Sequence, residues 1–303
     1  MKNLLSLFFL VFVLQSCDSC GTKGTTKTLT YQNIVIFSDM SDRIEPKINV
    51  VQINHQYPPK DTTEIHTIVS YFRNECVKPG EKIGDNSSIS FATFSDDNIA
   101  RVDLGEIKEL GEKQQFINST GKYENLGLEY RLVQFEKDVK SAYQKIRNKG
   151  IDLISALNEK IENKNIIKLN TIFTEGSDTT FINYDNHIYV FTDGYLEYLG
   201  RSVNDQFYFG ELEIQELRDF CKNKNLKPSE ALELDSNLGL PALFSDKNSL
   251  INLHILETHA RDKNVIRMTW ANDSGVRDNE ILEAVWRKWA NESGFKSFEW
   301  KEY

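Results

Sequence analysis

A doubly wound α/β fold, in which helices cover both faces of a mostly parallel sheet, follows from two patterns in this sequence. Short unbroken apolar runs, the mark of strands buried on both faces, recur at Asn33–Phe37, Ser88–Phe94, His187–Thr192 and Leu250–Leu256. Between them lie stretches whose apolar residues return with the 3.6-residue period of a helix. Alternation of the two patterns across residues 30–303 implies parallel strands joined by right-handed crossovers.

The elements follow in order. Asn33-Ile34-Val35-Ile36-Phe37 is the first strand, and Thr63–Cys76, with Ile65, Ile68, Val69 and Phe72 in register, is the first helix. Ser88–Phe94 is a strand with Ile99–Leu104 as its edge partner, and residues 105–130 read as a long surface excursion. Helices follow at Leu132–Ile146 and Ile154–Ile161, then a second excursion at 171–186. The strand His187–Thr192, the helix Glu213–Cys221, the strand Leu250–Leu256 and a further strand at Val265–Trp270 come next. Glu280–Ala290 is the last helix, and its Ile281, Leu282, Val285, Trp286 and Trp289 share one side. No repeat and no break in composition divides this stretch, so residues 30–303 read as one domain.

Composition excludes more than it assigns. The chain has 303 residues, 40% of them hydrophobic and 11% aromatic, with only 16 Gly and 6 Pro, which rules out collagen-like and disordered classes. A formal charge of −9 argues against a nucleic-acid partner, because neutralising phosphates needs an excess of Lys and Arg. Four cysteines are too few for a disulfide scaffold, and Cys76 with Cys221 could pair or stay as buried thiols. The five histidines have no metal-ligand spacing, and His254 reads as a core or edge residue. No nucleophile-elbow, zinc-protease, P-loop or dinucleotide motif occurs, so no enzymatic activity is expected.

The N-terminus carries an address. Met1-Lys2-Asn3 is a short basic start, and Leu4–Leu14 is apolar apart from Ser6. Such a run makes about 16 Å of helix, half of a ~30 Å hydrocarbon core, so it has the proportions of a secretory signal and not of a spanning helix. Leu14-Gln15-Ser16-Cys17 resembles the lipobox of bacterial lipoproteins. The resemblance implies a signal peptide over 1–16, a lipidated Cys17 opening a flexible stalk over 17–29, and a location at the bacterial cell envelope. The lipid would then be the chain's membrane contact.

The chemistry gathers where strands end. The first strand runs into Ser38-Asp39-Met40-Ser41-Asp42-Arg43, and the strand from His187 runs into Thr192-Asp193-Gly194. Gly150-Ile151-Asp152-Leu153 opens a helix between them. In a doubly wound sheet, ligands collect beyond the carboxyl ends of the strands, and carboxylate and hydroxyl oxygens are the ligands that Mg²⁺ or Mn²⁺ takes. Asp39-x-Ser41 after one strand, with Phe191-Thr192-Asp193-Gly194 closing another far downstream, resembles the von Willebrand factor type A domain. That resemblance implies a Rossmann-like fold and a metal-ion-dependent adhesion site between Asp39 and Asp193, which would be neighbours. A protein partner's carboxylate would complete the coordination of a Mg²⁺ or Mn²⁺ held by Asp39, Ser41 and Asp193.

The match to that family departs at two positions. The family's second motif serine is Arg43 here, and its loop threonine falls on Ile151, which has no oxygen to offer. A guanidinium about 5 Å from a divalent cation would cost ~6–7 kcal/mol at an effective dielectric of about 20. Three arrangements stay open. Arg43 can turn away onto Asp42 or Glu45 and leave the metal on Asp39, Ser41 and Asp193. Asp152 can replace the missing threonine as a further ligand. Alternatively, Arg43 can take the cation's place against Asp39 or Asp193 and leave a metal-free interaction or assembly scaffold. An envelope hydrolase working through metal-bound water is the remaining alternative.

Overall fold

Strand β1 (Thr26–Ser38) shows why the sheet is covered on both sides, because its alternate residues enter two different cores. Val35 and Phe37 pack into one, Ile34 and Ile36 into the other. These observations come from a computed structural model that describes residues 24–40, 57–81, 84–93, 96, 99–145, 151–164, 166–198, 205–257, 262–264, 269–270 and 275–302. The chain divides into two compact units.

The larger unit holds residues 30–169 and 184–303. Its other strands are β2 (Ser88–Thr93), β3 (Ala100–Asp103), the later part of β5 (Asp178–Thr192), β6 (Ile251–Glu257) and β9 (Ser297–Glu302). Their order is β3-β2-β1-β5-β6-β9. β2 is parallel to β1, β6 to β5 and β9 to β6, while the edge strand β3 runs antiparallel to β2. The doubly wound α/β expectation therefore holds. A two-residue pair, β7 (Lys263–Asn264) and β8 (Thr269–Trp270), stands outside this sheet.

Helices α4 (Leu153–Asn163), α5 (Glu211–Lys224), α6 (Pro228–Leu234) and α7 (Asp278–Glu292) line the core that holds Val35, Phe37, Ile188, Val190, Leu253 and Ile255. Helices α1 (Tyr57–Tyr71), α2 (Leu110–Ile117) and α3 (Leu128–Lys145) line the other, with Ile34, Ile36, Ile89, Phe91 and Phe191. α1 continues as a π-helical turn, Phe72–Val77, which seats Phe72, Cys76 and Val77 in that core. Cys221 belongs to the first core and Cys76 to the second, so both thiols are free and the sheet separates them. No helix among the described residues is long and apolar enough to cross a membrane.

The smaller unit, described at residues 24–29 and 170–183, is a hairpin in which β4 (Thr171–Glu175) pairs antiparallel with the start of β5. Gly176, at φ +60°, makes the turn, and the chain at Thr25 bonds the Asp178 carboxylate and the Thr179 amide.

Two expectations need correction. Residues 105–130 are not a surface excursion: they hold α2, whose Phe116 and Ile117 are buried, and they lead to Leu128 at the start of α3. Residues 171–185 do lie at the surface, as the exposed β4–β5 hairpin and the strand that leaves it, but the strand expected at His187 already begins at Asp178. Local polarity misled in both places. Two buried residues suffice to hold a short helix, and an exposed hairpin needs no apolar run. β1 likewise starts at Thr26, inside the segment expected to be a stalk. α6 and β9 had no apolar run or long period to announce them. Cys17, Ser41, Asp42 and Arg43, together with Val265–Met268 of the strand expected there, lie outside the described residues.

Candidate functional site

Sheet order reverses between β1 and β5. From β1 the chain winds outward through β2 and β3, and from β5 it winds the other way through β6 and β9. Loops leaving two such strands part to opposite faces and open a crevice between them. Asp39 leaves β1 at that point and Asp193 leaves β5.

Hydrogen bonds tie the two strand ends together. The Asp39 amide donates to Phe191 O at 2.9 Å, and the Thr192 hydroxyl donates to Asp39 Oδ2 at 3.3 Å. Thr192 Oγ1 also accepts the Gly194 amide at 3.1 Å, while Asp193 Oδ1 accepts the Tyr195 amide at 3.2 Å. Asp39 is 8% exposed and Asp193 1%, so two carboxylates stand largely out of water at one rim of the sheet. Ionised carboxylates so placed need hydrogen bonds or cations to offset lost hydration. Oxygen donors of this kind suit a hard divalent cation.

The backbone around them is unusual. Met40, directly after Asp39, has φ +48°, a region that non-glycine residues seldom enter. Gly194, directly after Asp193, has φ +85°. Side-chain contacts hold the Gly194 turn from behind. Trp286 donates its indole N–H to Gly194 O at 2.8 Å, and the Tyr195 hydroxyl meets Asp278 Oδ2 at 2.5 Å. Arg218 bonds the other Asp278 oxygen and donates through Nε to Val276 O at 2.9 Å.

A further carboxylate reaches the end of β1 through Tyr143. Its hydroxyl lies 2.8 Å from Ser38 Oγ and 3.0 Å from Asp61 Oδ2. Having one proton, it donates to the carboxylate and accepts from the serine. Ser38 and Asp61 are both fully buried. Sequence reasoning missed Asp61, which lies just ahead of the helix expected from Thr63 and belongs to no motif, whereas α1 in fact starts at Tyr57.

Asp152 stands elsewhere in purpose. It is the N-cap of α4, with Oδ1 accepting the Ser155 amide at 3.0 Å and Oδ2 accepting the Ser155 hydroxyl at 2.6 Å. Both oxygens are thus engaged in starting the helix, and a metal-ligand role for this residue has no support in its contacts. Among the described residues, no three His, Cys, Asp or Glu side chains are grouped so as to hold a metal ion.

A second polar system crosses β5, β6 and β9. His187 Nδ1 lies 2.9 Å from His254 Nε2, His187 Nε2 lies 3.1 Å from Asp185 Oδ2, and His254 Nδ1 lies 2.7 Å from Glu299 Oε2. Tyr189 stacks on His254 with centroids 4.3 Å apart. Burial pushes the His254 imidazolium to a lower pKa, against the pull of Glu299. The two histidines meet because the strand register sets Tyr189 opposite His254 and His187 opposite Asn252. No spacing rule in the sequence could have paired them. No family model matches this chain, and no curated protein matches its sequence.

Proposed function

We propose that this chain is a binding module of the von Willebrand factor type A kind, held at the bacterial cell envelope by a lipidated Cys17. It recognises a protein partner through a divalent cation at the carboxyl ends of its central strands. One observation carries the reading: Asp39 and Asp193, both buried, end neighbouring strands at the point where the sheet order reverses. Asp39, Asp193 and Ser41 would hold Mg²⁺ or Mn²⁺, with water completing the shell, as Mg²⁺ favours. When bound, the cation supplies a positive charge that a partner's carboxylate can join. Thr192 holds Asp39 in place, and Asp152 is left to cap its helix. Binding and not turnover is the proposed activity.

Calorimetric titration of Mn²⁺ into the full-length chain tests the reading. The wild type should bind one equivalent, and Asp39→Asn, which keeps the shape and removes the charge, should lose that binding. A wild type with no heat at millimolar metal would instead leave the scaffold arrangement with Arg43 in the cation's place. Hydrolysis of an ester or phosphoester that disappears with Asp39→Asn would make the site catalytic.

A further inference from the structure

The smaller unit sorts its side chains by face. In the β4–β5 hairpin Ile172, 66% exposed, pairs across the strands with Phe181, 37% exposed. Thr174 and Thr179 form a pair two residues along and share that face, because strand side chains alternate. Glu175 pairs with Asp178 and falls on the opposite face, with Phe173 and Thr180. The start of β1 adds a third strand. Thr25 O accepts the Thr179 amide at 2.9 Å, and at the other end Phe191 O accepts the Asp39 amide at 2.9 Å, so β1 and β5 run parallel. Thr26 then stands beside Thr179, Lys27 beside Thr180 and Thr28 beside Phe181. Lys27, Glu175 and Asp178, the charged residues of this described ribbon, thus share one face. The other presents Ile172 and Phe181 among threonines and carries no charge.

The ribbon is also tied to the start of the chain. The Thr25 amide donates to Asp178 Oδ1 at 2.7 Å, beside the hairpin turn. Thr25 is the eighth residue after Cys17, and a fully extended chain of that length spans at most about 29 Å. Acyl chains on Cys17 would therefore keep the turn within that distance of the bilayer that holds them, whatever path the residues between take. Ile172 and Phe181 each lie three residues from the turn pair Glu175–Asp178, about 10 Å along the strands.

We propose that the uncharged face of this ribbon lies on the bilayer, a contact that rests on the lipidation proposed for Cys17. Ile172 and Phe181 enter the headgroup region, and Lys27, Glu175 and Asp178 turn to water. The ribbon lies on the membrane and does not cross it. Among the described residues β4 pairs only with β5, so the backbone groups of its outer edge need water, which headgroups retain and hydrocarbon lacks. Apolar side chains supply the attraction, so neither anionic lipid nor low salt is required.

Two measurements on the chain purified from a bacterial envelope test this contact and its anchor separately. Mass spectrometry should find acyl chains on Cys17; their absence would remove the anchor and the proposal with it. The acylated chain is then placed in phosphatidylcholine vesicles, and tryptophans added to the ribbon are read against wild type, whose own four set the background. Phe181→Trp and Ile172→Trp should shift emission to shorter wavelength. Both should lose most of the added intensity to brominated phosphatidylcholine, at low and high salt alike. Phe173→Trp, on the charged face, should keep its intensity. All three positions are exposed, so the variants should fold with wild-type unfolding midpoints. Acylated chain without quenching at Phe181→Trp and Ile172→Trp would overturn the proposal and leave the anchor standing. Equal quenching at Phe173→Trp would also overturn it. So would a shift in Phe181→Trp that needs no vesicles and grows with protein concentration, the mark of a second copy covering this face.

Discussion

Gly194 has two separate reasons to be glycine. Its φ of +85° disfavours any side chain, and a Cβ built there would stand 2.6 Å from Trp300 Cη2, inside van der Waals contact. The left-handed conformation costs an L-residue about 1–2 kcal/mol, and overpacking a closed site adds about 1–3 kcal/mol. Gly194→Ala should accordingly lower stability by about 2–5 kcal/mol, read as a drop in the urea midpoint at unchanged slope. A loss under about 0.5 kcal/mol would mean that Trp300 moves aside freely and the turn is not held as described. Met40 faces the same backbone demand without being glycine, and it directly follows Asp39. Strain of this kind persists where surrounding contacts over-determine the backbone, and here it coincides with the proposed ligand site.

α7 shows how one element supports the site from behind. Its Ile281, Leu282, Val285, Trp286 and Trp289 are all buried, as the helical spacing of these residues requires. Trp286 is fully buried, packs edge-on to Trp289 with centroids 5.5 Å apart, and bonds Gly194 O. Truncation to alanine should cost about 3–5 kcal/mol through the void it leaves. Trp286→Phe retains most of the ring and orphans one carbonyl, so about 1–3 kcal/mol is expected. Denaturant titration of the two variants separates packing from hydrogen bonding. Equal losses would mean that the indole N–H carries the attachment and the ring volume does not.

Whole-molecule stability should depend on pH through the polar system across β5, β6 and β9. Burial, aided by His187, holds the His254 pKa below its usual value, so between that value and about 6.5 the unfolded chain binds more protons than the native one. Stability is therefore complete above about pH 6.5 and declines as pH falls below it. A second decline belongs to Asp185. Burial raises its pKa, but Lys296, His187 and Asn252 outweigh burial and bring it to about 2. Its contribution is present above about pH 4 and is lost as pH falls toward 2. Urea midpoints should drop as pH falls below about 6.5, and His254→Gln should flatten that drop. An unchanged slope in the variant would assign the dependence to other groups.

Much of this protein was readable along the chain. Continuous apolar runs placed β1, β2, β5 and β6, and helical stripes placed α1, α3, α4, α5 and α7, because burial on a sheet or under a helix leaves a periodic trace in the residues buried. Asp39 and Asp193 were legible for a related reason: each directly follows such a run, so strand geometry alone puts it at a sheet rim. Asp61 and the His187–His254 contact left no trace of this sort. They depend on which elements become neighbours, and in which register. Periodicity records that a residue is buried, but not against what. Chain folding alone sets those distances, and it does so through contacts between residues far apart in sequence.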